Sequence, residues 1–338
     1  MRWWRTPFWL LSLLTGAKSF ADNPILGSQR LNRAGLHVFR LKMAHAMARM
    51  RRARLAKLIP DELREQFERD GFIVIRNVLP DDTFRHLQSS ILGAELECRE
   101  HQQGDTVTRR SPVGPVLRRR FPQLAALLDS PRWKGVMAYV GSTRSAPLYY
   151  IQTIAAGVAE GPPDPQLELH SDTFHPSLKA WLFLTDVHDD GRPLTYVAGS
   201  HRLTDQRAAW EHRKSVGIMA DDNHLSRRGS LRVSLEELPG LGLPPPTRFC
   251  VPANTLVAID TCGFHARADS DRPTVRVELW AYCRRTPFLP WTGGDPLSWP
   301  PIAARRAQWL GSAVDWLARR GWATQHWRTA GRRRPLEP

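Results

Sequence analysis

The 338-residue sequence predicts a mainly β fold of the sandwich or jelly-roll type, with flanking helices and a basic helical N-terminal extension. Three observations carry this reading. Short runs of strand composition follow one another at 147–154, 167–172, 178–187, 194–197, 248–251, 255–259 and 274–283. Turn residues separate them: Gly161-Pro162-Pro163-Asp164-Pro165, Asp189-Asp190-Gly191-Arg192-Pro193 and Pro252-Ala253-Asn254. Helical patterns fall in the first 140 residues and in an interruption at 201–247. Many short, turn-punctuated strands pack best as two facing sheets.

Composition narrows the class. Hydrophobic residues make up 42% of the chain, ordinary for a folded protein. Cys98, Cys250, Cys262 and Cys283 are scattered with no CxxC pair, which argues against a disulfide framework and fits a reducing, cytoplasmic setting. The net charge of +15 sits at the ends: residues 1–58 hold 12 Lys or Arg against Asp22 alone, and residues 301–338 hold eight Arg. Tryptophan follows the same distribution, with Trp3, Trp4 and Trp9 at the start and six of the 13 in the last fifty residues.

The extension, residues 1–59, opens with Arg2 and Arg5 before an apolar run from Phe8 to Leu14. That run has part of the form of a signal peptide, but it is short and Thr15-Gly16-Ala17 is a poor cleavage site. It is far below the length of a membrane span. Two readings remain, a helix packed on the body and a helix lying in the membrane interface. Residues 36–58 repeat the choice. Leu36, Phe39, Met43, Met47 and Met50 form a helical stripe, with Arg40, Lys42, Arg49, Arg51 and Arg52 on the other side. Such a helix covers a core or lies on anionic lipid, peripherally at the inner membrane face. Nucleic acid is disfavoured, because no aromatics interleave with the basic residues and no DNA- or RNA-binding signature appears.

The body, residues 60–290, begins with a helix over 60–72, a strand over 72–75 and a helix from Leu79 to Leu92. Residues 100–120 read as a polar loop and 122–140 as one helix. Within the β region, 201–247 reads as an insertion or lid. Residues 291–338 form a Trp- and Arg-rich tail.

The chemistry points to His170-Ser171-Asp172. In an extended segment, side chains two apart share a face, so His170 and Asp172 converge. A second histidine would complete a 2-His-1-carboxylate triad, which leaves positions open on Fe(II). His265, just past the strand Leu256–Ile259, is the candidate. Arg276 sits eleven residues later in an alternating strand. A buried guanidinium needs a carboxylate, either Glu278 or a dicarboxylate cosubstrate held in bidentate fashion. No nucleophile elbow, P-loop or dinucleotide fingerprint offers another enzyme class.

His170-x-Asp172, the Gly199-Ser200-His201-Arg202 turn, Phe264-His265 and Arg276 occur in an order that resembles the phytanoyl-CoA dioxygenase family over about residues 65–290. The resemblance implies a double-stranded β-helix (cupin-like) core and an Fe(II)- and 2-oxoglutarate-dependent dioxygenase using O2. It implies that His170, Asp172 and His265 hold iron and that Arg276 grips the far carboxylate of 2-oxoglutarate. Where relatives often have a small hydroxyl residue two after the distal histidine, this chain has Arg267, so a further cosubstrate contact falls to Gln152 or Lys179. Trp181 shares a strand face with Lys179; His175 and His201 read as supporting residues. A carboxylate at 172, absent from related halogenases, favours hydroxylation. The expected substrate is a lipid or acyl chain at an anionic membrane surface. The alternatives are a soluble small metabolite and a non-catalytic jelly-roll binder.

Overall fold

The computed structural model describes residues 6–270 and 272–337. Eleven strands form two sheets among the described residues: β1 (Phe72–Ile75), β2 (Leu96–Gln103), β3 (Thr106–Pro112), β4 (Leu148–Ala156), β5 (Leu178–Phe183), β6 (Leu194–Tyr196), β7 (Thr247–Arg248), β8 (Leu256–Asp260), β9 (His265–Arg267), β10 (Thr274–Cys283) and β11 (Arg328–Arg333). The large sheet has the order β1-β8-β5-β10-β4-β3-β2-β11, and the small one β7-β6-β9. All the large-sheet pairings are antiparallel. The helices are α1 (Thr6–Ser12), α2 (Gln29–Arg33), α3 (Leu36–Leu55), α4 (Asp61–Asp70), α5 (Asp81–Leu92), α6 (Pro115–Arg120), α7 (Pro122–Asp129), α8 (Pro131–Val140), α9 (Asp205–Gly217), α10 (His224–Arg227) and α11 (Pro300–Arg319).

The two-residue period of the strands divides the large sheet into two faces. Leu178, Ala180 and Leu182 of β5, Leu256 and Ala258 of β8, and Val277, Leu279 and Ala281 of β10 pack with α5, α7 and α8 in one core. Their neighbours Trp181, Phe183, Val257, Ile259 and Trp280 face the small sheet and meet Leu194, Tyr196, Phe249 and Val251. This inter-sheet layer is the jelly-roll core that the strand pattern predicts. A third cluster covers the outer side of the small sheet, where Phe20 and Leu26 of the extension join Trp210, Ile218, Leu231 and Val233 of the 201–247 segment. That segment supplies none of the residues lining the cavity described below.

Several expectations are corrected. Residues 100–120 are not a loop: β2 and β3 form a hairpin, turning at Gly104 with φ +59°. Its alternation is masked because only Cys98, Thr106, Thr108, Arg109 and Ser111 of its later positions are buried, and most of these are polar. The helix over 122–140 is two helices, broken at Ser130-Pro131, where the Ser130 hydroxyl caps α8. The segment 167–172 is not a regular strand; His170 alone bridges to Arg232 and to His265. In α3 the apolar stripe is not the buried side. Phe39, Met43 and Met50 are exposed, whereas Arg40 and Arg51 are buried beside Leu41, Ala44, Ala48 and Leu55. Backbone carbonyls compensate the two guanidiniums: Arg40 donates to Leu13, Thr15 and Ala17, and Arg51 to Ser142, Pro287 and Leu289. The readings placed on Arg2, Trp3, Trp4 and Arg5 lie outside the described residues.

Candidate active site

His170 and His265 are paired through their backbones. Each amide donates to the other's carbonyl, at 3.0 and 2.9 Å, and the rings lie 4.6 Å apart. Asp172 enters through its amide, which donates to the Thr261 carbonyl at 2.9 Å. The ligand atoms of His170, Asp172 and His265 all lie within 4.8 Å of one another, and both Nε2 atoms are 3.7 Å from Asp172 Oδ1. The structure thus brings together the three residues that the sequence singled out 95 positions apart.

The imidazoles are oriented for lone-pair donation. Nδ1 of His170 lies 2.7 Å from the Glu168 carbonyl, and Nδ1 of His265 lies 3.0 Å from the Gly263 carbonyl. A carbonyl accepts only, so Nδ1 carries the proton in each ring and Nε2 presents its lone pair inward. Burial pulls His265 down to about 4 and His170 well below its ordinary value, so both are neutral at physiological pH. Nε2 of His265 is buried with no hydrogen-bond partner. An orphaned buried acceptor beside a carboxylate fits a cation. Burial alone would raise the Asp172 carboxyl, but Lys179 above all, then His265 and His170, hold it far below the usual carboxylate range. Lys179 Nζ is 2.7 Å from Asp172 Oδ2.

The turn carrying His265 has its own support. Asp260, at the end of β8, accepts from the amides of Ser177 and Cys262 at 3.0 and 3.1 Å and pairs with Arg52 of α3 at 2.6 Å. Tyr196 Oη donates to the Asp260 carbonyl at 2.9 Å. A Cβ on Gly263 would lie 1.9 Å from that hydroxyl, so the turn has room only for glycine. The sequence reading missed Asp260 and Arg52; the signal available was an acid three residues before a Gly-x-His turn.

One row of side chains crosses the site face of the large sheet. Arg110 of β3, Gln152 of β4 and Glu278 of β10 are register neighbours. Arg110 Nε donates to Gln152 Oε1 at 2.6 Å, Gln152 Nε2 to Glu278 Oε1 at 2.7 Å, and Arg276 Nε to Glu278 Oε2 at 2.7 Å. Arg276 also donates from Nη1 to the Arg192 carbonyl at 2.7 Å. Gln152 is therefore on the predicted wall with both ends of its amide committed. Glu278 is the carboxylate partner of Arg276 here. Arg276 still lines the same pocket as the triad, together with Arg110, Lys179 and Trp181. Arg110 was not foreseen. Its guanidinium is packed over Trp280 at 3.8 Å and Trp327 at 4.6 Å, and burial pulls it down to about 10. Arg267 donates to Asp164 at 2.5 Å and lines the pocket too. His175 is buried and accepts from Arg284 Nε at 3.2 Å; His201 is buried against Phe67.

This pocket continues past Asp172 and Lys179 into a cavity of about 900 Å³. Its walls come from the large sheet, from Lys18 and from the tail, including Leu310 of α11 and Trp327.

Residues 67–228 match the family model described as phytanoyl-CoA dioxygenase. Among solved structures, the epimerase SnoN in complex with Fe3+, alpha ketoglutarate and nogalamycin RO is 16% identical, with 67% of this chain and 83% of that one covered and a TM-score of 0.42. HygX from Streptomyces hygroscopicus, with nickel, 2-oxoglutarate and hygromycin B bound, is 16% identical over 66% of this chain and 86% of its own, with a TM-score of 0.40. AviO1 from Streptomyces viridochromogenes Tue57 is 16% identical over 71% and 96%, again with a TM-score of 0.40. These are distant likenesses. No curated protein matches the chain. The match includes His170 and Asp172 and stops short of His265 and Arg276, which the fold returns beside them. What this chain shares with the phytanoyl-CoA dioxygenase family model is thus residues 67–228, a little under half of its length.

Proposed function

We propose that the protein is an Fe(II)- and 2-oxoglutarate-dependent hydroxylase acting on an amphiphilic substrate at an anionic membrane surface. The observation that carries the reaction class is the triad, with two inward Nε2 lone pairs and one carboxylate at the end of a large cavity. His170, Asp172 and His265 would hold the metal. Iron with 2-oxoglutarate and O2 supplies the chemistry: cosubstrate to succinate and CO2, with one oxygen atom inserted into a substrate C–H bond.

The protein's own residues position the reactants. Glu168 and Gly263 carbonyls fix the imidazole tautomers. Lys179 holds the Asp172 carboxylate toward the cavity until a cation competes for it. Arg276, held by Glu278 at Nε and by the Arg192 carbonyl at Nη1, would bind the far carboxylate of the cosubstrate, with Gln152 fixing Glu278 in turn. Trp181 and Trp280 exclude water from the reacting centre.

The membrane reading rests on α11 and α1. No helix among the described residues is long and apolar enough to cross a membrane. Yet α11 buries only Ala307 and exposes Trp309, Leu310 and Trp316, with Trp299 exposed just before it, while α1 and its flank expose Phe8, Leu10, Leu11 and Leu14. Arg305, Arg319 and Arg320 are interspersed, with Arg320 stacked on Trp316 at 3.7 Å. Aromatic and cationic side chains alternating on an exposed helix suit an anionic lipid interface. The cavity is bordered by α11 through Leu310 and by the segment after α1 through Lys18.

Turnover of 2-oxoglutarate to succinate with Fe(II), present in the full chain and absent in His170→Ala, tests the reaction class. No succinate under any condition would return the protein to the class of binders.

A further inference from the structure

The site face of β10 carries cations at both ends. Arg276, Glu278, Trp280 and Tyr282 follow one another at two-residue spacing, and Arg284 comes two residues after Tyr282, just past the strand. Arg276 lines the pocket around the triad, whereas Arg284 lines the wider cavity and not that pocket. Eight residues of extended chain separate them by about 26 Å. One five-carbon diacid held at Arg276 leaves the Arg284 end free. Between the two, Trp280 and Tyr282 are stacked with ring planes 2° apart.

The Arg284 end is more cationic than its own protein partners require. Arg284 donates to the Gly16 carbonyl and to His175, and Lys18 Nζ donates to the Asp172 carbonyl at 2.5 Å. Arg110, deeper in the cavity, donates to an amide oxygen. Lys18, Arg110 and Arg284 make no ion pair with any described carboxylate, unlike Lys179 with Asp172 and Arg99 with Asp315. Only Glu97 and Asp172 are acidic among the lining residues. Lys18 and Arg110 are partly withdrawn from water, and Arg284 is exposed at the cavity rim; cations that converge on one cavity without an opposite charge are stabilised when a ligand supplies it.

We infer that the cavity takes a substrate bearing a carboxylate or phosphate, docked on Lys18 and Arg284, with an apolar body against Trp280, Tyr282 and Leu310. As a statement about substrate class, this rests on the hydroxylase reading; as a statement about binding, it stands alone. Neither Lys18 nor Arg284 lies in the family-matched residues, so the subsite is built by the parts of the chain that the family match leaves out.

Calorimetric titration of the full-length protein with dodecyl phosphate below its aggregation concentration, and with dodecyl maltoside, tests the inference. Dodecyl phosphate binds at least about tenfold more tightly than dodecyl maltoside, and Lys18→Gln combined with Arg284→Gln weakens it by about tenfold or more. Lys18→Arg with Arg284→Lys restores binding to within about threefold of the parent. Equal affinity for the two amphiphiles, or no loss in the glutamine variant, overturns the subsite. Should the glutamine variant misfold, the parent alone decides. Its affinity for dodecyl phosphate, but not for dodecyl maltoside, falls with added salt, and salt independence overturns the inference. Competition by phosphatidylglycerol vesicles identifies a lipid headgroup as the source of the anion; its absence, with dodecyl phosphate still bound, identifies a soluble acid. Selective binding without succinate formation would sink the hydroxylase reading alone, and succinate formation without selective binding would sink the subsite alone.

Discussion

The two ends of the chain share a composition and not a fate. Both are basic and apolar, yet the N-terminal extension is knitted into the body and the C-terminal helix lies on it. In the extension Arg40 and Arg51 are buried on backbone carbonyls, Arg52 reaches the buried Asp260, and His37 lies 2.8 Å from Glu211. In α11 a single residue is buried, and Trp309 is 51% exposed. The difference teaches that a count of positive charges does not locate a charged surface. An arginine whose donors meet helix- and turn-terminal carbonyls is a structural cross-link, whereas one stacked on an exposed tryptophan remains available to a partner.

The sharpest way to break this comparison is to remove each end. Deleting residues 1–59 strips Leu41, Ala44, Ala48 and Leu55 from their cores and leaves Asp260 and Glu211 without Arg52 and His37. The expected outcome is loss of the cooperative thermal transition by circular dichroism, so this truncation cannot serve as a clean test of lipid binding. A normal transition would mean the extension is peripheral after all.

A smaller effect comes from Glu211→Gln. Glu211 sits between Arg207, at 2.9 Å, and His37, with no exposed surface. Leaving Arg207 buried and uncompensated should cost about 3–5 kcal/mol in denaturant unfolding. The same group sets a pH dependence. Burial would raise it, but Arg207 foremost and His37 bring it down to about 2. A depressed carboxyl stabilises the fold fully above its unfolded value of about 4.3, and the contribution fades as pH falls through that value toward 2. The parent should lose stability over that interval more steeply than Glu211→Gln.

The smallest change in stability, and the largest in partitioning, is expected from Trp309→Ser with Trp316→Ser. Both side chains are exposed, so unfolding should shift by no more than about 0.5 kcal/mol each. Co-sedimentation with phosphatidylglycerol vesicles should fall several-fold, because each indole removes apolar area from the interface. Unchanged sedimentation would sink the lipid role of α11.

Much of the site was legible from spacing. The His-x-Asp step, a histidine after a strand and an arginine in an alternating strand are local patterns, and a fold that pairs His170 with His265 makes them converge. The strand over 274–283 was legible for the same reason, since Val277, Leu279 and Ala281 alternate with Glu278, Trp280 and Tyr282. What escaped was non-local. The β2–β3 hairpin was hidden because Thr106, Thr108 and Ser111 are buried polar residues, so Arg110 went unnoticed. The inward side of α3 was misjudged because carbonyls 23 to 238 residues away in sequence, which accept from Arg40 and Arg51, leave no pattern around those arginines. Glu278 as partner of Arg276 was one of two options, and only the register of β4 against β10 places Gln152 beside it.

The most direct test of the central claim is anaerobic calorimetric titration of the full chain with Fe(II) in the presence of 2-oxoglutarate. The triad predicts one equivalent bound by the parent and an affinity at least about a hundredfold weaker in a folded His265→Ala variant. Equal affinity in parent and variant would contradict the assignment of His170, Asp172 and His265 as the metal ligands.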